Sequence, residues 1–332
     1  MIDLTRRTLL TGTVASTAAA GIFLAPGREA RAAAPPAGTQ APSWYRYKVG
    51  SFEVTVVTDG MTTAALADNY VGNASKNDVN ATLVANHLPP DKVTHSYSPV
   101  VVNSGSKLVA IDSGLGLGMY QQSKGAVGQY HTNLAAAGID PKNVDAVIIS
   151  HFHADHINGL LGPDNKLAFP NAELLVPAAE WAFWMDESNA GRFPEPIKGQ
   201  FGNVKRVFGA LGNKATHYQA GKELAPGITA MATPGHTPGH TSFVVASGND
   251  KVLLQIDVTA AAVSLFLNHP EWKLAFDTDG PLAEQTRHKV YDMAIADNML
   301  IQGYHFPFPG RGYVEKAGSG YRLVPAAWSP TI

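Results

Sequence analysis

The chain of 332 residues contains no cysteine. Disulfides, thiolate nucleophiles and cysteine-held zinc are therefore excluded, and any metal must be held by His, Asp or Glu. A chain without thiols also suits an oxidising compartment, where stray thiols pair wrongly. Charge is scarce too: 16% of residues are charged, the net charge is -2, and no Lys/Arg cluster occurs in the body of the chain. That argues against nucleic acid as a partner. Hydrophobic residues make up 45% of the chain, ample for a buried core.

The N-terminus has the features of a targeting segment. Thr5-Arg6-Arg7-Thr8-Leu9-Leu10 is a twin-arginine pattern, followed by an Ala-rich apolar stretch to about Ala25. Ala30-Arg31-Ala32 then offers a small-x-small cleavage site. The alternative is a membrane anchor, but the apolar run falls short of the roughly 20 residues a span needs. The expectation is a signal peptide over 1–32, no stable membrane anchor, and a periplasmic or secreted protein. Residues 33–43 are rich in Pro, Ala and Gly and are expected to form a linker, with one domain over 44–332.

Short β-rich runs recur along that domain. Strands are expected at 52–58, at 99–103 and 107–112 as a hairpin about Ser104-Gly105, and at 144–150, 173–176, 228–232, 241–246 and 251–256. The run 144–150 is nearly all apolar, as in a strand covered on both faces. Helices are expected at 130–137 with Gly138 as the stop, at 177–185 with Pro177 in the first turn, and at 282–297. Strands interleaved with helices predict an α/β fold of sheets covered by helices.

Directly after the run 144–150 comes His151-Phe152-His153-Ala154-Asp155-His156. Side chains two apart on extended chain point the same way, so His151 and His153 can reach one ion together. Asp155 and His156 follow where the chain turns, and can reach a second. Imidazole and carboxylate are natural ligands for zinc and similar divalent ions.

This segment resembles the signature of the metallo-β-lactamase superfamily, and the resemblance extends over nearly all of the chain after its N-terminal segment. It implies an αββα four-layer sandwich with a dinuclear metal site at the sheet edge. Asp112, in Ile111-Asp112-Ser113-Gly114, matches a carboxylate that supports a metal ligand from behind. His236, within Thr233-Pro234-Gly235-His236-Thr237-Pro238-Gly239-His240, would complete the first ion's set of His151 and His153. Asp257 matches the carboxylate that bridges both ions. His305, in Gly303-Tyr304-His305-Phe306-Pro307, would join Asp155 and His156 on the second. His240 is either a support behind the ligands or an ordinary strand-start residue. His87, His95, His131, His217, His269 and His288 fit no motif and are expected at the surface. The resemblance implies two divalent ions, zinc by default, with Mn, Co or Fe compatible with the same donors.

Such a pair, roughly 3.5–4 Å apart, would share a hydroxide that attacks a carbonyl or phosphoryl centre. Asp155 could take up and return the proton. The absence of cysteine and the presence of Asp257 disfavour the β-lactamase branches, and the chain has no room for the flavin domain of flavo-diiron relatives. Resemblance is closer to the lactonase and methyl parathion hydrolase branch, through Leu167-Ala168-Phe169-Pro170-Asn171-Ala172, Thr237-Pro238-Gly239-His240-Thr241 and Gly320-Tyr321-Arg322-Leu323-Val324-Pro325. Trp184 matches an aromatic pocket wall of that branch, and Trp181, Tyr120, Phe201 and Phe266 are further pocket candidates; the alternative for each is ordinary core packing. An aromatic, apolar pocket suits an aryl ester, a lactone or an aryl phosphotriester. The leading expectation is hydrolysis of lactones or carboxylic esters, with aryl phosphotriesters as a side reaction. An organophosphate triester hydrolase is the alternative, followed by thioesterase, β-lactamase or a metal-binding protein without turnover. The apolar stretch 258–268 is expected to be exposed, as a lid or a dimer contact, and a homodimer is suggested by the resemblance alone.

Overall fold

The structure is a computed structural model that describes residues 38, 40, 41, 43–260 and 263–332. The expected signal peptide at 1–32 and most of the expected linker lie outside the described residues. Among these residues, no helix is long and apolar enough to cross a membrane.

Two seven-stranded sheets dominate the unit Ala41–Ile332. The first runs in spatial order through Trp44–Val49, Phe52–Val57, Val100–Asn103, Leu108–Ile111, Ala146–Ile148, Glu173–Pro177 and Thr216–Tyr218. Its first three pairings are antiparallel and its last three parallel. The second runs through Glu223–Ala225, Ile228–Ala232, Thr241–Ser247, Asp250–Ile256, Leu300–Gly303, Arg311–Ala317 and Gly320–Pro325. Within it only Asp250–Ile256 and Leu300–Gly303 pair in parallel.

Alternation decides the layers, because successive strand side chains face opposite ways. Val54, Val56, Val100, Val102, Val109, Ile111 and Ile148 turn inward to meet Ile228, Phe243, Val245, Val252 and Leu254 of the second sheet. Val57, Val101, Ala110, Val147 and Ile149 turn outward, under the helices Tyr130–Ala136, Ala178–Met185 and Ile197–Ala210. The outer face of the second sheet is covered by Gly280–Ala296 through Val290, Tyr291 and Ala294. The order is helix, sheet, sheet, helix, as expected.

The expected elements fall where the sequence placed them, to within a few residues. The last long helix begins earlier, at Gly280, because Asp279 accepts the Leu282 N–H at 3.0 Å and caps it. Ile197–Ala210 carries Gly199, Gly202 and Gly209, poor helix formers that hide it in the sequence. Its buried face of Ile197, Phe201, Val204, Val207 and Phe208 overrides them. The stretch 258–268 differs from expectation. Val258, Ala260, Leu265, Phe266 and Leu267 are buried, so these apolar side chains form core and not an exposed lid or dimer face; residues 261 and 262 lie outside the described set.

One glycine sets how tightly two site-forming turns meet. A Cβ on Gly159 would lie 1.8 Å from the Ser113 carbonyl oxygen. The same turns are joined by Ser113 N–H and Ser113 Oγ, both donating to the His156 carbonyl, at 2.9 and 2.8 Å. Gly159→Ala is expected to cost about 1–3 kcal/mol through overpacking. Denaturant unfolding checks this; an unchanged midpoint would mean that the turn yields freely.

Candidate metal centre

The strand ends bring the chemistry together. Asp112 directly follows Leu108–Ile111, and Asp257 directly follows Asp250–Ile256. His151 lies three residues beyond Ala146–Ile148, and His305 two beyond Leu300–Gly303. The return loop before Thr241–Ser247 supplies His236. Ile256 holds a left-handed backbone at φ 55°, and the register of Asp250–Ile256 shifts beside it. A β-branched residue pays for that conformation by about 1–2 kcal/mol, and the shift sets the direction in which Asp257 leaves the strand.

Two groups of donors result: His151, His153 and His236, and Asp155, His156, Asp257 and His305. Asp257 Oδ2 lies between them. It is 3.8 Å from His151 Nε2 and 3.4 Å from His236 Nε2, and 3.5 Å from His156 Nε2 and 3.1 Å from His305 Nε2. Asp155 Oδ2 is 3.3 Å from His156 Nε2 and 3.4 Å from His305 Nε2.

Hydrogen bonds behind the imidazoles fix which nitrogen faces inward. His156 Nδ1 donates to Asp112 Oδ2 at 2.8 Å, His236 Nδ1 to Asp277 Oδ1 at 2.9 Å, and His305 Nδ1 to the Ser96 carbonyl at 2.8 Å. Ser150 Oγ donates to Asp112 Oδ2 and so accepts from His151 Nδ1 at 3.0 Å. All four rings therefore turn Nε2 inward, toward the two carboxylates. His151 Nε2 and His153 Nδ1 stand only 3.2 Å apart. The buried atoms His156 Nε2, His236 Nε2 and Asp257 Oδ1 have no hydrogen-bond partner among the described residues. Buried lone pairs converging around ionised carboxylates fit divalent cations, and the all-N/O donor set suits zinc and its neighbours.

Electrostatics agree. Burial, with the neighbouring His236, lowers His153 to about 3. His236 stands at about 9: burial pushes it down, but Asp257 and Asp277 outweigh that. Burial likewise opposes His156 and His305, yet the surrounding carboxylates hold both above their ordinary value. Asp257 is pushed up by burial and pulled well below the carboxylate range by His305 and His156. The carboxylates stay ionised and draw positive charge inward.

Asp112 accepts from Ser150 N–H as well as from Ser150 Oγ and His156, each at 2.8 Å, and so holds His156 as expected. His240 proves to be a support and not an ordinary strand residue: its Nδ1 meets Thr233 Oγ1 at 2.8 Å, and its Nε2 accepts the Asp257 N–H at 3.1 Å. Asp112→Ala is expected to weaken metal binding by about 10- to 100-fold with the fold kept. Competition against a chelator measures it; unchanged affinity would remove Asp112 from the account.

Three supports were not read from the sequence. Asp277 orients His236 and is itself held by Arg287 at 2.7 Å. Glu180 is buried and accepts from Phe152 N–H, Gly239 N–H and the Trp184 indole at 3.0, 2.7 and 2.7 Å. Tyr304 covers His156, with ring centroids 4.1 Å apart. Asp277 lies in Phe276-Asp277-Thr278-Asp279, where the cap at Asp279 was the one available signal.

The pocket expectation is overturned. A cleft of about 130 Å³, open to solvent, leads to Asp155 and Asp257 between His95, Tyr97, Leu115, Gln200, Ala260, Leu274 and Phe276. None of the five aromatic candidates lines it. Trp184 is fully buried behind His153, its indole spent on Glu180. Phe201 packs on Trp184, and Phe266 lies in the core beside Tyr70 and under Arg287. Trp181 packs edge-on against the buried Phe152 and Phe208 and at a tilt against His217, and Tyr120 faces the turn at Gly125. The histidines also divide. His87 and His217 are exposed as expected. His95 instead lines the cleft, His131 meets the Gly159 carbonyl at 2.9 Å, His269 stacks on Trp272, and His288 meets the Tyr321 hydroxyl. His95 and Tyr97 share one strand face, which the period of two in Lys92–Tyr97 could have indicated.

Comparison with known proteins agrees with this architecture. The N-acyl homoserine lactonase AttM of Agrobacterium fabrum is 33% identical over 179 residues, covering 49% of this chain and 60% of that protein. N-acyl homoserine lactonase AiiA of Bacillus thuringiensis subsp. kurstaki is 29% identical over 127 residues, 38% of this chain and 43% of that one. The chain thus matches about half of the length of these curated relatives. Among solved structures, AidC, a dizinc quorum-quenching lactonase in complex with a product, superposes with a TM-score of 0.78 at 25% identity, covering 86% of this chain and 98% of AidC. AbOPH, a hydrolase in the beta lactamase superfamily, gives 0.77 at 26% identity over 88% of this chain and all of that one. The sequence model of the Metallo-beta-lactamase superfamily matches residues 94–302, the span that holds all but one of the seven converging donors, and the chain belongs to that superfamily.

Proposed function

We propose that this protein is a dinuclear metal-dependent hydrolase that opens lactone rings, with N-acyl homoserine lactones as its substrate class. The observation that carries the reading is the position of Asp257 Oδ2, within 3.1–3.8 Å of imidazoles from both donor groups. His151, His153 and His236 would hold one ion, Asp155, His156 and His305 the other, and Asp257 both. Two ions so held supply an acidified water and a Lewis acid for the carbonyl. Zinc is the proposed metal, which elemental analysis checks.

The chain's own groups do the rest. Asp155 is the most open of the seven donors, its side chain 18% exposed, and it faces the cleft. Its carboxylate can accept the proton of the attacking water and return it to the ring oxygen as the C–O bond breaks. Lactone opening consumes one water and leaves a carboxylate and a hydroxyl on one molecule. Leu115, Leu274, Phe276 and Ala260 give apolar walls for an acyl chain. No Lys or Arg lines the cleft among the described residues, so a strongly anionic substrate finds no partner.

The similarity to AttM, AiiA and AidC supports carbon as the centre attacked. The same donors could serve an aryl phosphotriester, and a substrate panel decides. The expected result is a kcat/KM on an acyl homoserine lactone well above that on a paraoxon-like triester, a thioester or a β-lactam. Preference for the triester would reverse the order of readings, and an inert, metal-replete protein would refute enzyme function. We further propose export through the twin-arginine pattern at Arg6-Arg7; N-terminal sequencing that found Met1 on the exported protein would refute it.

A further inference from the structure

Apart from the converging metal donors, one polar side chain lining the cleft carries a buried atom with no partner among the described residues. The Gln200 carboxamide oxygen is buried and has no hydrogen-bond partner among the described residues. Gln200 sits in the first turn of Ile197–Ala210 and lines the cleft together with His153, Asp155, His236, Asp257 and His305. The polar wall groups outside the donor set are engaged. His95 Nε2 pairs with the Tyr70 hydroxyl at 3.2 Å, and the Tyr97 hydroxyl pairs with Thr62 Oγ1 at 2.8 Å. The remaining walls, Leu115, Ala260, Leu274 and Phe276, have nothing to donate.

An unpaired buried acceptor is costly, and native proteins keep few of them. Where one persists in the wall of a solvent-open reaction cleft, water answers it in the free protein, and a substrate that displaces the water must supply a donor in its place. A carbonyl oxygen needs a donor. A simple lactone, an aryl ester and a phosphotriester have only acceptors. A lactone that carries an acylamino group has an N–H beside the ring.

We infer that Gln200 is a specificity-determining residue, whose carboxamide oxygen accepts a hydrogen bond from the acylamino N–H of the substrate. It selects acylamino-lactones over lactones of equal length that lack the N–H. The inference rests on the lactonase reading above and adds to it the group on the enzyme that reads the substituent.

The test compares wild type, Gln200→Leu and Gln200→Met on two substrates, N-hexanoyl homoserine lactone and an unsubstituted γ-lactone with an alkyl chain of similar length. Metal content and melting temperature are measured alongside. Gln200→Met keeps the length of the side chain without its amide, and so serves if leucine perturbs the helix. Both variants are expected to lose about tenfold in kcat/KM on the acylamino-lactone, the size of one hydrogen bond. On the unsubstituted lactone they should stay near wild type, so that the wild-type preference disappears. Equal loss on both lactones, or no loss on either, overturns the role of Gln200 and leaves the lactonase reading standing. A wild type that opens neither lactone overturns the lactonase reading itself and the inference with it.

Discussion

Replacing Asp257 by alanine is expected to reduce bound metal to one ion or fewer per chain and to abolish the proposed lactone hydrolysis. The loss should exceed the roughly 10- to 100-fold typical of removing a group that only supports a ligand. The reason is geometric. Oδ2 of this one carboxylate faces His151 and His236 on one side and His156 and His305 on the other. No other side chain among the described residues joins the two donor groups in this way. Without it, the inward-facing imidazoles keep Asp155 as the one carboxylate of the donor groups, with Asp112 and Asp277 behind the rings. The fold should survive, because the Asp257 N–H still bonds His240 Nε2 and the backbone at Ile256 is unchanged. Elemental analysis of the purified variant checks the claim. Two ions still bound would refute the bridging role.

Glu180→Ala is expected to be the most destabilising substitution near the site. The carboxylate takes the Phe152 N–H, between His151 and His153, and the Gly239 N–H, in the loop that carries His236. It also takes the Trp184 indole. A single buried side chain thus ties together both loops of one donor group. Alanine leaves three buried donors unpaired, at about 1–3 kcal/mol each. A loss above about 3 kcal/mol is the result, and a melting temperature lower by on the order of 10 °C. Glu180→Gln, which keeps one acceptor oxygen at the same length, should fall between. Calorimetry measures both. A melting point unchanged by Glu180→Ala would show that water or relaxation replaces these bonds without cost.

Much of this architecture was legible in the sequence, for identifiable reasons. Val54, Val56, Val100, Val102 and Val109 alternate with outward residues, so strand period and core face coincide. His151, His153, Asp155 and His156 lie within six positions, so their convergence needs no knowledge of the fold. His236, Asp257 and His305 converge from far along the chain, and only resemblance to a family placed them. Local pattern could not have brought Asp257 to His151.

What stayed hidden depends on tertiary packing. Trp184, Phe201 and Phe266 have the composition of a pocket wall, yet all three are buried in the core. Aromatic character marks burial and clefts alike, and only the packed neighbours tell them apart. His95 and Gln200 fit no motif, but the turn of a strand and of a helix brings both to the cleft. Glu180 reads as a surface residue of an amphipathic helix until its three buried donors are in place. The left-handed Ile256 has no sequence signal, since nothing about isoleucine favours that conformation.

The proposed hydrolysis requires a pair of metal ions that the seven donors would hold, with Asp257 shared between them. The direct measurement strips the wild-type protein with a chelator and follows lactone turnover as zinc is returned in known amounts. The expected result is an inactive stripped protein and a rise in activity that reaches its plateau at two equivalents per chain. Full activity after stripping, or a plateau at one equivalent, would contradict it.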